Sequence, residues 1–255
     1  MKKIIFLGLL SFLAAALWQL PLSFANPYLV KYVKGVTLED VSGTVWNGEA
    51  KHLFANDIDF EKVKWSVKPL QSLTSFSLKF DFDIQGRDLT ANGLAGITLN
   101  KTLILDKTKF DLNASYLNTQ QRFAMLSGDI KGNIKHAEIN QKDLPIVNGT
   151  IDWKEAALNS PIKLTQGDYH AVITPDAGDM NIKLSSSDAP VELAGTIKLN
   201  KEWLYDTDLK IKSADPSIIS MIGMIGEKQA DDMVNIKQKG DLKPYLGKTS
   251  QGKKK

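Results

Sequence analysis

Cysteine is absent from all 255 residues. That excludes disulfides, thiolate nucleophiles and cysteine-based zinc sites, and it leaves the chain free to occupy an oxidising compartment without mispairing. Histidine is scarce: His52, His136 and His170 lie far apart, so no His-x-His or His-x-x-x-His ligand pair exists. An excess of one charge is lacking as well. The 32 basic residues nearly balance 29 acidic ones, and three of the lysines, Lys253, Lys254 and Lys255, sit at the extreme C-terminus. The remainder is close to neutral and carries no basic footprint of the kind nucleic-acid binders show. The glycines are scattered through turns and strand entries, with no phosphate loop, nucleophile elbow or HExxH helix.

The remaining polar candidates are modest. His136 has Glu138 two residues on and His170 has Asp168 two residues before, but two ligands do not make a metal site. Asp57/Asp59 and Asp81/Asp83 alternate as strand residues do and line a solvated sheet face, without the loop oxygens calcium needs. Asp231 and Asp232 carry no motif. The expectation is a chain that is not an enzyme, with no catalytic, cofactor-binding or metal residues and no cofactor. Two distant acids of a glycosidase are the one arrangement such a reading does not detect.

What is present begins with the N-terminus. Met1-Lys2-Lys3 leads into an uncharged apolar run from Ile4 to Trp18, and Leu20, Pro21, Leu22, Phe24 and Ala25 extend it. A span needs about 20 residues. Two readings stand: a signal peptide cleaved after Ser23-Phe24-Ala25, or a retained signal-anchor with Trp18 at the interface and Pro21 ending the helix. Both send the rest of the chain across the inner membrane.

After Asn26 the apolar residues recur with period two. Phe76, Leu78, Phe80, Phe82 and Ile84 alternate with Ser77, Lys79, Asp81 and Asp83, and shorter runs of the same kind include Leu103–Leu105, Phe110–Leu112, Ile182–Leu184, Ile197–Leu199, Leu209–Ile211 and Val234–Ile236. Such runs are strands wetted on one face. Gln85-Gly86, Asn92-Gly93, Gln166-Gly167-Asp168 and Ala177-Gly178-Asp179 supply turn signals. The class is mainly β: antiparallel meanders forming a curved sheet or a sandwich. One short helix is expected near residues 215–232, capped by Asp215, begun by Pro216 and stopped by Gly226, with a second turn across Glu227–Met233. Its apolar density fits a plug on the sheet core; membrane-dipping or partner binding is the functional alternative. The expected domains are 1–25 (anchor), 26–245 (β-rich) and 246–255 (disordered polar tail).

Val41-Ser-Gly-Thr-Val-Trp46-Asn-Gly-Glu-Ala50 is echoed by Val147-Asn-Gly-Thr-Ile-Asp-Trp153-Lys-Glu-Ala156, and more weakly by Ala194-Gly195-Thr196-Ile197. Glycine within a strand marks a bulge or a close backbone approach. The tryptophans read as buried structural residues at equivalent places; stacking on carbohydrate is the alternative.

The order of these elements resembles the type II secretion system protein N family. The resemblance rests on the N-terminal apolar segment with Leu20-Pro21-Leu22-Ser23, the element Gly43-Thr-Val-Trp-Asn-Gly-Glu-Ala50, and the subsequent Trp65-Ser-Val-Lys-Pro69-Leu70. Gly149–Trp153 and the stretch from Gly195 to Leu242 extend it over nearly the whole chain. It implies a single-pass inner-membrane protein, N-terminus cytoplasmic and bulk periplasmic. The implied role is accessory and non-enzymatic, a scaffold among other secretion-system components that supports export of folded proteins across the outer membrane. It implies no nucleic-acid partner and no small-molecule substrate, and it favours a retained anchor. The competing expectation is an anchored periplasmic lipid-handling protein. A continuous apolar groove in the sheet favours that reading, and a filled core favours the scaffold. Intact-mass measurement of the membrane fraction is expected to find residues 1–25 still attached; a chain starting at Asn26 in the periplasmic extract contradicts it.

Overall fold

Alternating side chains produce a mainly β molecule. The computed structural model describes residues 7–8, 11–12, 15–32, 35–55, 58–119, 125–140, 143–158, 164–229 and 232–246. Two compact units result, residues 1–97 and 98–255.

The first unit opens with helix α1 (Leu22–Tyr32). It continues through β1 (Val36–Glu39), β2 (Ser42–Gly43), β3 (Asn47–Ala50), β4 (His52–Ala55), β5 (Ile58–Asp59) and β6 (Lys62–Val67). Helix α2 (Pro69–Ser75), β7 (Ser77–Gln85) and β8 (Leu89–Thr98) complete it. Strands β1, β4 and β5 form a small sheet, and the others are ordered β2-β3-β6-β7-β8. Much of the apolar run at the N-terminus lies outside the described residues, and among the described residues no helix is long and apolar enough to cross a membrane. Pro21 does not separate the N-terminal segment from the folded unit. Leu22 is fully buried, Trp18 stacks on Trp46 at 5.9 Å, and the Trp46 indole N–H donates to the Leu17 carbonyl at 2.8 Å. Val45 N–H bonds Leu20 O, and Asn26 Nδ2 donates to Leu38 O. Residues 17–26 are thus integral to this unit, and α1 runs through the position between Ala25 and Asn26.

Phe76 does not begin the alternating strand. It closes α2 in the left-handed region (φ 49°), its N–H on Ser72 O, with its side chain 81% exposed. Pro69 starts that helix and the Thr74 and Ser75 hydroxyls back-bond to its carbonyls, so extended backbone resumes only at Ser77.

The second unit is one antiparallel sheet. Its strands are β9 (Leu103–Asn113), β10 (Leu126–Ile139), β11 (Ile146–Leu158), β12 (Leu164–Asp176) and β13 (Asp179–Ser187). Next come β14 (Val191–Leu199), β15 (Leu204–Ser213), β16 (Glu227–Lys228) and β17 (Met233–Asp241). From β9 to β15 each strand pairs with its sequence neighbour; β17 then pairs with β15, and β16 with β17. A meander rather than a sandwich is therefore formed here. Helix α3 (Pro216–Ile222) lies between β15 and β16, its N-terminus capped by the Asp215 carboxylate on Ser217 N–H at 2.8 Å. The second helical turn expected across Glu227–Met233 does not form, because Glu227 and Lys228 pair with Asn235 and Val234. A short helix α4 (Lys243–Leu246) comes after β17. The expected tail from 247 onward lies outside the described residues.

Two turn signals were misleading. Asn92-Gly93 lies inside β8, and Gln166-Gly167-Asp168 inside β12. In the latter, glycine admits close approach of Ala189, and the Asp168 carboxylate binds Lys154 Nζ at 2.7 Å and Glu155 N–H at 3.0 Å. Those contacts hold a β-bulge in β11, where three steps from Trp153 to Ala156 oppose two from Tyr169 to Gly167. The two Gly-Thr-Trp echoes also differ in place. Gly43 (φ 81°) and Trp46 flank a tight turn between β2 and β3, whereas Gly149 and Trp153 both lie within β11.

Three aromatic side chains lie over the glycine directly opposite them: Trp65 over Gly48, Phe110 over Gly132 and Tyr205 over Gly240. A glycine leaves backbone bare, and the ring covers it. A methyl group on Gly132 would collide with the Phe110 ring. Gly132→Ala is expected to lower stability by about 1–3 kcal/mol through overpacking, measured by denaturant unfolding; an unchanged midpoint would show that the ring moves freely.

Candidate functional site

Register decides what each face of the second unit presents. Reading across the strands from β9 to β17, Phe110, Gly132, Ile151, Ala171, Leu184, Gly195, Leu209 and Ile236 are direct cross-strand neighbours. One residue away along each strand, the opposite face carries Asp111, Lys131, Asp152, His170, Ser185, Ala194, Lys210 and Asn235. A face this apolar ordinarily packs beneath a second layer. Among the described residues, α3 covers the β15–β17 end, where Ile219 packs with Val234 and Ile236, backed by Leu209, Ile211 and Ile222. This is the plug expected from its apolar density.

Toward β11 the face is not covered in this way, and Ile151, Trp153, Tyr169, Ala171, Leu184 and Leu193 stay half-buried. They line a cavity of about 550 Å³, joined by Ile211 and by Ile222 of α3. The polar tips of its two aromatics are used by the backbone: Trp153 Nε1–H donates to Ser127 O at 3.1 Å, and Tyr169 O–H to Val191 O at 3.2 Å. The His170 ring, which also lines the cavity, pairs with the Asp152 carboxylate at 2.7 Å. Burial raises the Tyr169 pKa above its usual value, so the phenol stays neutral. The walls are therefore mainly hydrocarbon and ring faces, with His170 and Ser185 as the other polar residues of the lining. Trp153, expected as a structural residue, is half-buried and faces this cavity. A depression of about 460 Å³ in the first unit, between Trp65 and Phe82, differs in kind: Glu49 there is ion-paired with Lys62 and Lys64, chiefly the Lys62 hydrogen bond holding its pKa low.

The histidines pair with carboxylates across strands. His52 Nδ1 lies 2.9 Å from Asp59 and His170 Nδ1 lies 2.7 Å from Asp152. His170 does not meet Asp168, which is committed to Lys154. His136 has Asp106 at 2.6 Å from Nδ1 and Glu138 at 3.2 Å from Nε2. Of the acidic pairs, Asp81 binds Lys68 and Asp83 accepts from Gln85, while Asp57 and Asp231 lie outside the described residues. Among the described residues no group of three or more acidic or histidine side chains is placed to hold a metal ion. Asp106 and Asp152, the partners missed from sequence, are 30 and 18 residues from their histidines, and only register brings them together.

The second unit is thus an antiparallel β-sheet with an apolar cavity on one face and ion-paired side chains on the other. The family model of type II secretion system (T2SS), protein N, matches residues 34–237, and the chain belongs to that family. It is accordingly a component of type II secretion. Among characterised proteins and solved structures, no match is found.

The Asp106 hydrogen bond, aided by Glu138 and opposed by partial burial, raises the His136 pKa above the ordinary value, about 6.5. A raised pKa means that the protonated pair stabilises the fold fully below pH of about 6.5 and loses that contribution as pH rises through the folded-state pKa. NMR titration is expected to place the His136 midpoint above 6.5, and Asp106→Asn to lower it. Equal midpoints in both proteins contradict the pairing.

Proposed function

We propose that this chain serves type II secretion as a non-enzymatic, membrane-tethered periplasmic binding protein, retained by its N-terminal segment. The observation that carries the tether is the packing of residues 17–26 into the first unit. Cleavage after Ala25 would strip Leu22 from its fully buried position and Trp18 from its stack on Trp46. A chain whose fold uses those residues is served by keeping them, and the apolar run before them then remains as an anchor, with the N-terminus cytoplasmic and the two units periplasmic. The neutral, ion-paired polar surface and the absence of a sequence motif for catalysis support a role in contacts with other inner-membrane and periplasmic secretion components.

A second reading, lipid handling, is favoured by the cavity over β11–β15. A lipid-handling protein and a scaffold share the same alternating sequence pattern, and a half-buried apolar face is what sets the former apart. Both readings are compatible with one anchored protein.

Tethering raises effective concentration to about the millimolar range for short linkers. Replacing residues 1–16 with a cleavable signal peptide keeps Leu17 to Asn26 and releases the folded units. In a strain lacking the native protein, the released form at native abundance is expected to rescue secretion poorly and overproduction to rescue it in part. Full rescue at native abundance would remove the need for a tether.

A further inference from the structure

We infer that the cavity over β11–β15 is a binding site for one acyl chain of a bilayer phospholipid. A methylene is about the size of a water molecule, whose share of liquid volume is about 30 Å³, so the cavity of about 550 Å³ accommodates on the order of eighteen carbons. Its walls favour hydrocarbon, because apolar residues dominate the lining, the Trp153 and Tyr169 tips have backbone partners and the His170 ring is paired with Asp152.

An extended peptide fits worse. An extended strand needs backbone partners, but strands β11 to β15 are hydrogen-bonded on both sides. Its own N–H and C=O groups would be buried without partners. An acyl chain has no such groups.

The source is argued from the ends of the cavity. Ile222 lines it, and two residues beyond, Met224 is 82% and Ile225 59% exposed in the turn after α3. Leu126 lines it at the start of β10, beside exposed Met125. Exposed apolar side chains continuous with an apolar cavity suit contact with a bilayer, through which a chain can pass from lipid to protein without crossing water. The inference rests on the membrane tether proposed above, which keeps the unit near a bilayer.

The test uses the full chain in membranes. It is mixed with vesicles of phosphatidylethanolamine and phosphatidylglycerol containing a phospholipid whose acyl chain bears a diazirine, irradiated, and the labelled residues are mapped by peptide mass spectrometry. Labelling is expected at Trp153, Ala171 or Leu184 and not at Lys183 on the opposite face. Ala171→Phe, which fills the cavity, is expected to reduce cavity labelling at least tenfold with an unchanged melting temperature. If that variant does not fold, Leu193→Gln is expected to reduce labelling in the same direction. Labelling confined to the N-terminal apolar segment, or equal at Lys183 and Leu184, overturns the site. Labelling by the same chain supplied only as free fatty acid overturns the phospholipid assignment, and a co-purifying peptide cross-linked in the cavity overturns both. The readout is labelling and not secretion, so this site and the proposed tether can fail independently.

Discussion

The second unit depends on one constraint: an apolar sheet face eight strands across, which among the described residues α3 covers at the β15–β17 end. Hydrogen bonding between neighbouring strands satisfies the backbone, and alternation sends every second side chain to the same side. What alternation does not supply is a second layer. At the β15–β17 end, Ile219 and Ile222 of α3 provide it, and there Val234 becomes fully buried. Along β11–β14 the same face stays half-buried and lines a cavity.

The bulge in β11 is the clearest local response to that constraint. An extra residue between Trp153 and Ala156, locked by Asp168 to Lys154 and Glu155, turns the strand beside the cavity. Trp153, just before the bulge and two residues after Ile151, directs its ring onto the apolar side while its N–H donates to Ser127 O. The aromatic–glycine pairs act in the same sense. A ring laid over an opposing glycine covers backbone that the glycine leaves bare, and Phe110 and Gly132 fit as such a pair.

The first unit solves a different problem with the same materials. Its first six strands are short, and the segment entering from the N-terminus contributes to its packing. Leu22 fills the interior, and Trp46, which an echo in the sequence equates with Trp153, instead stacks on Trp18 and donates to Leu17 O. The echo reflects shared residue types rather than shared position, since Gly43 serves a turn and Gly149 a close strand approach to Asn133 and Ile134. The apolar segment is therefore joined to the fold by specific contacts, not by a loose linker.

Period-two patterning alone determined the β class and the positions of β7, β9, β13, β14, β15 and β17, because side-chain alternation is a property of each strand by itself. Asp215-Pro216 likewise determined where α3 begins, because a cap and a first-turn proline act within four residues. Family membership was legible too, from the order of the Gly-Thr-Trp and Trp-x-x-x-Pro-Leu elements. Tertiary structure alone decided that Phe76 caps a helix, that Gly93 and Gly167 sit inside strands, and that α1 crosses the position after Ala25. It alone joined His136 to Asp106 and His170 to Asp152. The row from Phe110 to Ile236 was also invisible beforehand, since register is fixed by bulges and by neighbouring strands up to many residues away. A cavity exists only where such rows align and a covering layer stops short, and no single strand's sequence carries that information.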